Sequence, residues 1–355
     1  MSRKKIALIH PRLILRGGLE SRLLNYMKWF SDEGFDVTVF CFKQDESISL
    51  PENVQVHKFN MKWVPKIYRH RYFSRLLANE NIKERFDLVL SLGRTSHQHA
   101  VLGPGNHIGY LKAFDRSPKS LSDFEQIAMD RKAYQRSEVI LAASQLMADE
   151  IPALFGVSKD KVKVLFPPVN ADRFISSAKT LSKTAAREKL NIGSTEKVLA
   201  IVSTGHVMKG VPFLVDIMKS LPDVKLLVAG SPVKDAPSNV IHLGFLKDPS
   251  VLYRAADALV LPSVYEAFGQ VVAESLICGT PVIVSKMVGA KEIMINGCGQ
   301  EVPVRDRAAW IKAISELKSK PELSEPLIDL TQYSVDAHMK KLCAFVGLQL
   351  PERNS

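Results

Sequence analysis

Two glutamates eight residues apart, Glu266 and Glu274, flank a glycine at the predicted start of a helix. Glu266 precedes this helix, which we expect to begin near Gly269 or Gln270, and Glu274 lies within its first two turns. The first turn of a helix carries unpaired backbone N–H groups and positive dipole character, which suits a phosphate group. Gly269 would let a ligand approach the backbone closely. This segment is therefore the first candidate for a binding site.

The two carboxylates need an explanation of their own, because they would repel a phosphate. They are better explained as hydrogen-bond acceptors for sugar hydroxyls. In this interpretation Glu266 contacts a sugar that is transferred and Glu274 contacts a ribose. The structural alternative is that Glu266 caps the helix and Glu274 is a surface residue, and the spacing by itself favours that alternative.

Glycines and a lysine mark two further helix starts. Gly17 and Gly18 follow the first predicted strand, but a glycine pair is equally typical of a tight turn. They do not form the G-x-G-x-x-G pattern of a dinucleotide-dependent oxidoreductase. Lys209 precedes a helix that has Pro212 near its first position. The helix dipole disfavours a lysine there unless an anion also binds, so Lys209 is a candidate ligand for a diphosphate.

Histidines and cysteines provide the other reactive side chains. His97, His99 and His107 are close in sequence, but few other metal-binding side chains are expected near them, and we predict no metal site. His107 follows the predicted strand Ala100–Gly103, and a structural loop histidine is the alternative to a functional one. The four cysteines have no CxxC spacing, which favours a reducing cytoplasm.

Short apolar runs alternate with amphipathic helical runs through both halves of the 355-residue chain. This alternation indicates an α/β protein whose parallel sheets are covered by helices. We predict two doubly wound, Rossmann-like domains, residues 1–170 and 171–334, that face a central cleft. A hinge is expected in the polar stretch 176–184, and residues 335–355 are expected to form a C-terminal helix that packs on the first domain.

A basic segment begins at Lys58 and ends at Arg75, and it contains six basic residues and no acidic one in a chain of net charge +11. Aromatic residues are interleaved with these charges, which suits an anionic membrane surface or an anionic acceptor. A solvated helix face is an equal alternative. No recognised nucleic-acid motif accompanies the segment, so nucleic acid is not an expected partner. The non-enzymatic alternative for the chain is a basic RNA- or membrane-binding protein.

The second half contains a stretch that resembles the donor-binding signature of the retaining glycosyltransferases of family four, which have the GT-B fold. The matching elements are residues 255–263, Glu266, Phe268-Gly269, Glu274-Ser275-Leu276 and residues 279–283. Within this family the chain is most similar to the lipopolysaccharide core glucosyltransferases, and the likeness covers nearly the whole chain. In this context the pair of glutamates is a strong signal. Residues 169–174 resemble the family's interdomain segment.

The resemblance implies transfer of a hexose from a nucleoside-diphosphate sugar, with UDP-glucose as first choice, to a hydroxyl of a glycan or glycolipid. It implies retention of anomeric configuration and no metal or cofactor, since the sugar nucleotide is a substrate. The first domain would bind the acceptor and the second the nucleotide sugar, in lipopolysaccharide or cell-surface polysaccharide biosynthesis. A cytoplasmic protein, peripheral at the inner face of the cytoplasmic membrane, is implied. A sugar-nucleotide epimerase of the same fold and a glycogen-synthase-like enzyme are the enzymatic alternatives.

The resemblance also assigns site residues. Catalytic roles are implied for His107, Lys209 and Glu266. The implied donor-binding residues are Gly17, Gly18, Lys209, Phe245, Leu246, Glu266, Phe268, Gly269, Gln270, Val271 and Glu274. The family usually adds an arginine to the phosphate-binding lysine, whereas this chain has Met208 at that position and leaves the second cation unidentified. His97 and His99 have no assigned role, although one of them is a candidate for acceptor binding.

Overall fold

The computed structural model describes residues 3–15, 17–103, 105–169, 174, 181–295, 297–319 and 325–351. The chain divides into two compact units: unit 1 comprises Met1–Pro168 and Val335–Ser355, and unit 2 comprises Val169–Ser334. The division falls two residues before the predicted boundary. Most of the predicted interdomain segment and most of the predicted hinge lie outside the described residues.

Unit 1 is built on a parallel sheet. The described strands are β1 (Lys5–Ile9), β2 (Arg12–Leu13), β3 (Asp36–Cys41), β4 (Lys43–Gln44), β5 (Val54–Lys58), β6 (Leu88–Ser91), β7 (Ala100–Gly103), β8 (Val139–Ala142) and β9 (Val162–Val164). Seven of them form one sheet in the order β5-β3-β1-β6-β7-β8-β9, and β2 pairs with β4 separately. β6 and β7 are buried at every position, as expected for parallel strands with both faces covered.

The described α-helices in the first part of unit 1 are α1 (Gly18–Asp32), α2 (Arg69–Asn79), α3 (Ile82–Arg85), α4 (His107–Ala113), α5 (Leu121–Arg136) and α6 (Gln145–Phe155). Local caps explain where several of them begin. Ser120 and Asp123 form a capping box at α5. The side chains of Asn106 and Ser144 accept backbone hydrogen bonds at the starts of α4 and α6. Each cap pairs an N–H group that the helix itself leaves unpaired.

Unit 2 repeats this architecture. Its described strands are β10 (Lys197–Ser203), β11 (Val224–Gly230), β12 (Val240–Gly244), β13 (Ala258–Leu261), β14 (Val282–Ser285) and β15 (Gly299–Val302). The α-helices of unit 2 that lie wholly within the described residues are α7 (Lys183–Lys189), α8 (Val211–Met218), α9 (Ser250–Ala255), α10 (Gln270–Ile277) and α11 (Arg307–Ser315). The six strands are parallel in the order β12-β11-β10-β13-β14-β15, so the direction of winding reverses between β10 and β13.

The last helix, α12 (Val335–Phe345), belongs to unit 1, where it packs against α1. The buried ring of His338 bonds to the Tyr26 hydroxyl at 2.5 Å through Nε2 and to the Phe166 carbonyl at 2.8 Å through Nδ1. Burial lowers the pKa of His338 to about 3, so the ring stays neutral. Trp29 Nε1 donates to Asp336 at 3.2 Å. These bonds join the C-terminal part of the chain to the core of unit 1.

A buried ion cluster holds α7 on the sheet of unit 2. Asp257 accepts from Lys183 Nζ at 2.8 Å, from Arg187 Nη2 at 3.0 Å and from the Val198 backbone N–H at 2.9 Å. Burial opposes ionisation of Asp257, but the bonds from Lys183 and Val198 outweigh it and lower the pKa of Asp257. Asp257 lies within the stretch that resembles the donor-binding signature, and its contacts are structural.

Candidate functional site

Strand order brings two of the predicted site residues together in unit 2. β10 and β13 are neighbours at the position where the winding reverses, and the loops that follow them carry Lys209 and Glu266. Ligands of doubly wound sheets bind beyond the carboxyl ends of the strands at such a switch point. The two loops are joined directly, because the Val264 N–H donates to the Met208 carbonyl at 2.9 Å.

Close packing of these loops depends on a glycine that was not assigned a role from the sequence. Gly210 has a φ of +69°, and a Cβ atom added there would collide with the carbonyl oxygen of Pro262. A side chain would therefore strain the backbone and push the two loops apart. Gly210 ends the Lys209 loop and is the N-cap residue of α8.

Glu266 has the most unusual environment of the predicted site residues. Its backbone is held by the Met287 carbonyl at 2.9 Å and by the Gly289 N–H at 3.0 Å. Its Oε2 atom is buried and has no hydrogen-bond partner among the described residues. Burial raises the pKa of Glu266, and the positive charge of Lys209 opposes this rise. Buried polar atoms are nearly always paired, so the free oxygen marks a position where a donor group of a ligand fits.

Lys209 and His206 lie in the same loop but are held differently. Lys209 Nζ donates to the Val202 carbonyl at 3.0 Å, near the end of β10. His206 Nε2 lies 3.0 Å from the carbonyl oxygens of both Ser231 and Pro232, so it carries the hydrogen, and Nδ1 accepts from the Ser203 hydroxyl at 2.9 Å. Both ring nitrogens of His206 are therefore satisfied, which favours a role in anchoring the loop over that of a second phosphate-binding cation.

The start of α10 lies beside Glu266 and presents backbone more than side chains. Gly269, the N-cap residue, has a φ of +97° and supplies no side-chain cap. A Cβ atom there would lie 3.1 Å from Val288 Cγ1 and 3.3 Å from Glu266 Cγ. The side chains of Phe268 and Val271 are buried, at 4% and 8% exposed. Side-chain contacts of these two predicted donor-binding residues with a ligand are therefore not expected.

Two other parts of the predicted donor site differ in how firmly they are held. Glu274 Oε2 accepts from the Tyr253 hydroxyl at 2.7 Å, so a tyrosine of α9 orients this carboxylate. Sequence reasoning missed Tyr253, since no spacing rule links positions 253 and 274. Phe245 follows β12 and is 76% exposed, and Leu246 beside it is half-buried.

In unit 1, His107 is the first residue of α4. Its Nε2 atom bonds to Asp123 Oδ1 at 2.7 Å, and its backbone N–H donates to Asp130 at 2.9 Å. Hydrogen bonds from the Ser120 backbone and from His107 lower the pKa of Asp123, so this carboxylate stays ionised and orients the ring. Both aspartates were missed from the sequence, although the Ser120-x-x-Asp123 spacing is a capping-box signal.

The remaining predicted residues of unit 1 lie at both edges of its sheet. Gly17 is the N-cap residue of α1 with a φ of +106°, whereas a Cβ atom on Gly18 would meet nothing within 4 Å. His99 accepts from the Val89 N–H at 2.9 Å and precedes β7, so it lies at the amino edge of the sheet, away from the carboxyl ends. His97 contacts the Ser96 hydroxyl at 3.3 Å. Within the described ranges no group of three or more metal-binding side chains could hold a metal ion.

The basic segment that begins at Lys58 does not form one helix face. It includes the end of β5, the short helix Lys66–Tyr68 and the first part of α2. Trp63 and Tyr68 are 65% and 48% exposed, while Phe73 is fully buried in the core. No helix among the described residues is long and apolar enough to cross a bilayer.

Comparisons with known proteins cover both units. The family model described as Glycosyltransferase Family 4 matches residues 16–173, and the one described as Glycosyl transferases group 1 matches residues 182–332. A probable transglycosylase of Burkholderia thailandensis is 34% identical over 274 residues, which are 77% of this chain and 75% of that protein.

Solved structures share the architecture. WaaG, a glycosyltransferase involved in lipopolysaccharide biosynthesis, has a TM-score of 0.73 at 18% identity and covers 97% of each chain. Anabaena HepE in complex with UDP-glucose has a TM-score of 0.70 at 16% identity, covering 97% of this chain and 100% of that one. The predicted fold class, two Rossmann-like α/β domains with parallel sheets as in GT-B proteins, is confirmed.

Proposed function

This chain belongs to the glycosyltransferases of family 4 and group 1, and from this membership we propose that it moves a hexose from a nucleoside-diphosphate sugar to an acceptor hydroxyl with retention of configuration. One observation carries the proposal: Glu266 holds a buried carboxylate oxygen without a partner, at the switch point of unit 2, within the electrostatic influence of Lys209. A hydroxyl of the donor sugar would supply the missing hydrogen bond. Lys209, whose charge acts on Glu266, would supply the positive charge that the diphosphate requires.

The chemical demand of the reaction is the charge that develops on the leaving diphosphate. Lys209 and the N-terminus of α10 would stabilise this charge electrostatically, because both present positive potential in a partly buried site. Glu266 would accept a hydrogen bond from the transferred sugar and Glu274, oriented by Tyr253, one from the ribose. For His107 we propose a contact with the transferred sugar, with the Asp123 bond fixing its orientation.

We propose a front-face path in which the leaving phosphate takes the proton of the acceptor hydroxyl. The acceptor oxygen then bonds to the anomeric carbon on the face from which the diphosphate departs, and no separate general base is needed. Neither a metal nor a cofactor is part of this proposal. Activity should therefore be unchanged by EDTA, and a metal requirement would contradict this path.

UDP-glucose is our first choice of donor, and the structural likeness to HepE, which has been crystallised with UDP-glucose, supports it. For the acceptor we propose a glycan or glycolipid hydroxyl in lipopolysaccharide or cell-surface polysaccharide biosynthesis, supported by the likeness to WaaG. A thermal-shift screen of sugar nucleotides would test the donor. A ligand at one hundred times its Kd stabilises the folded state by about 2.7 kcal/mol, and a screen without any stabilising nucleotide sugar would contradict the proposal.

The decisive experiment follows a labelled sugar nucleotide through turnover by wild type and Glu266→Ala. Loss of the carboxylate should lower kcat by about 100-fold or more, as for other groups that stabilise the transition state. Glu316→Ala provides a matched control, since Glu316 is an exposed carboxylate at the end of α11 in the same unit. Donor turnover by Glu266→Ala at the wild-type rate would contradict the central assignment.

Analysis of the products in the same experiment separates the enzymatic alternatives. A transferase yields a glycoside of the added acceptor whose anomeric configuration NMR can compare with that of the donor. An epimerase would convert the sugar nucleotide without any acceptor, and a glycogen-synthase-like enzyme would extend a glucan primer.

We further propose that the protein is cytoplasmic and contacts an anionic membrane through the basic segment. Trp63 and Tyr68 are exposed there, and basic residues flank them. Aromatic rings with lysines suit the interface of a membrane that contains anionic lipids. The combined changes Lys62→Glu and Lys66→Glu should reduce sedimentation with phosphatidylglycerol vesicles, while Lys28→Glu on α1 should not. Equal vesicle binding by all three proteins would refute this membrane contact.

A further inference from the structure

Three arginines of unit 1 are each ion-paired with a largely buried carboxylate. The arginine side chains are 53%, 54% and 26% exposed, and their carboxylate partners are 3%, 11% and 2% exposed. Negative charge therefore lies inside the protein and the guanidinium groups lie toward its surface. The pairs are Arg12 with Glu20, Arg71 with Glu125, and Arg94 with Asp130.

Two of these arginines, Arg12 and Arg94, lie at the carboxyl edge of the unit 1 sheet. Arg12 follows β1 and Arg94 follows β6, and these neighbouring strands lie where the winding of this sheet reverses. Ser74 on α2 accepts from the Ser96 N–H at 3.0 Å, so α2 is bonded to the loop that carries Arg94. His70 precedes Ser74 by about one turn and faces the same side of α2.

The His70 ring lies within electrostatic range of two of these arginines. Burial lowers the pKa of His70, the positive charges of Arg94 and Arg12 lower it further, and Glu125 acts in the opposite direction. His10, whose pKa is also lowered by burial, lies beside them, and its Nδ1 atom is 2.7 Å from the Arg12 carbonyl. Two guanidinium groups therefore act on the His70 ring, and each is ion-paired with a carboxylate.

One nitrogen of this ring lacks a protein partner. Nδ1 of His70 is buried and has no hydrogen-bond partner among the described residues. A buried N–H without an acceptor is costlier than a buried lone pair on an aromatic nitrogen, so the hydrogen is placed on Nε2. The ring as a whole is half-buried, and its Nε2–H group is a donor that no described residue occupies.

We propose that His70, Arg12 and Arg94 bind a phosphate group, and that this phosphate is an ester carried by the acceptor. A guanidinium has five N–H donors and a carboxylate occupies at most two of them, so donors remain for a tetrahedral oxyanion. The buried carboxylates hold the guanidinium groups in place before the ligand arrives. This inference rests on the proposed function only in naming the ligand as the acceptor.

The test uses NMR of ¹³C-labelled histidine side chains in the full-length protein, with UDP present to saturate the donor site. Titration with inorganic phosphate should shift the His70 signal to a plateau, whereas chloride at the same ionic strength should not. The double variants Arg12→Gln/Glu20→Gln and Arg94→Gln/Asp130→Asn, which leave no buried carboxylate without its arginine, should each weaken phosphate binding about ten-fold or more. Arg85→Gln, which changes an exposed ion-paired arginine of α3, should leave it unchanged.

Phosphate affinity that is the same in the Arg12/Glu20 and Arg94/Asp130 variants as in wild type would overturn the site. Lys209→Ala separates this result from a failure of the donor assignment, because it is expected to lose UDP binding and to keep the His70 response. Two further titrations identify the source of the phosphate: glucose 6-phosphate represents a soluble ester, and vesicles with phosphatidic acid represent a lipid. One of them should bind at least ten-fold more tightly than inorganic phosphate, and if neither does, the acceptor assignment is wrong.

Discussion

Replacing Glu266 with glutamine is expected to stabilise the unliganded protein and to impair sugar transfer. The Glu266 carboxylate is buried with one oxygen unpaired, and burying an incompletely paired charge costs more free energy than burying a neutral amide. Attraction to Lys209 offsets part of this cost. Glutamine keeps the shape and removes the charge, so we expect a net gain of about 1 kcal/mol, or about 2–4 °C in Tm for a domain of 150–250 residues.

The stability gained by Glu266→Gln should depend on pH in a defined direction. Burial raises the pKa of Glu266 above its ordinary value of 4.5 in the folded protein, so the folded state binds this proton more tightly than the unfolded state does. Below the pKa of the unfolded state, Glu266 is protonated in both the folded and the unfolded protein, and Glu266→Gln then gives no advantage in stability. As the pH rises through the unfolded and then the folded pKa, the wild type loses stability. The advantage of glutamine should therefore be small near pH 4 and should increase as the pH rises towards 8.

Calorimetry of unliganded wild type and Glu266→Gln between pH 4 and 8 measures this effect, with Glu316→Gln as the control. Transfer assays on the same proteins should show kcat/KM reduced roughly 10- to 150-fold, because a charged acceptor contributes about 1.5–3 kcal/mol to a hydrogen bond. If Glu266→Gln were less stable than wild type by 1 kcal/mol or more at pH 8, the carboxylate would stabilise the fold. That result would refute our interpretation of Glu266 as a ligand-binding group.

Three other changes have expected outcomes. Lys209→Ala should weaken UDP binding about 10- to 100-fold in calorimetric titrations, because charge-assisted bonds to the diphosphate are lost, and unchanged affinity would exclude this contact. Asp257→Asn leaves two buried cations without their carboxylate and should lower the denaturant stability of unit 2 by about 3–5 kcal/mol. The pKa of Asp257 is lowered in the folded state, so the stabilisation by its carboxylate is present above the unfolded pKa of about 3.9 and is lost as the pH falls through the folded pKa. A difference in stability between wild type and Asp257→Asn that did not depend on pH would contradict this. Gly210→Ala should destabilise unit 2 by more than about 1 kcal/mol, because of its positive φ and the Pro262 carbonyl, whereas Gly18→Ala meets no neighbour and should be tolerated; equal melting of both variants would contradict the packing argument.

Periodicity predicted the larger elements well. The helix expected to begin near Gly269 or Gln270 is Gln270–Ile277, and the buried strands of both sheets lie where short apolar runs occur. Helices α4 and α6 were not predicted from the sequence. α4 is only seven residues long, and α6 contains Pro152, so neither has the uninterrupted amphipathic pattern that identifies a helix from sequence.

The residues of the candidate site also differ in whether the sequence could identify them. Lys209 could be selected from the sequence because the helix dipole disfavours a lysine there unless an anion binds, whereas Glu266 was selected with the help of the family resemblance, since a carboxylate before a helix is commonly a cap. Their partners could not be selected, since the Tyr253–Glu274 and His107–Asp123 bonds each join residues many positions apart. Nor could the sequence show that Phe268, a predicted donor-binding residue, is buried.

The sequence by itself determined the fold class, the residue types of the donor site and the family resemblance, because these depend on local periodicity and on short motifs. The tertiary structure decided which carboxylate oxygen has no partner among the described residues and which arginines are ion-paired with buried carboxylates. Both depend on strand order and on burial. The loops after β10 and β13 meet only because these strands are neighbours in the sheet, and an unpaired oxygen is informative only once it is known to be removed from water.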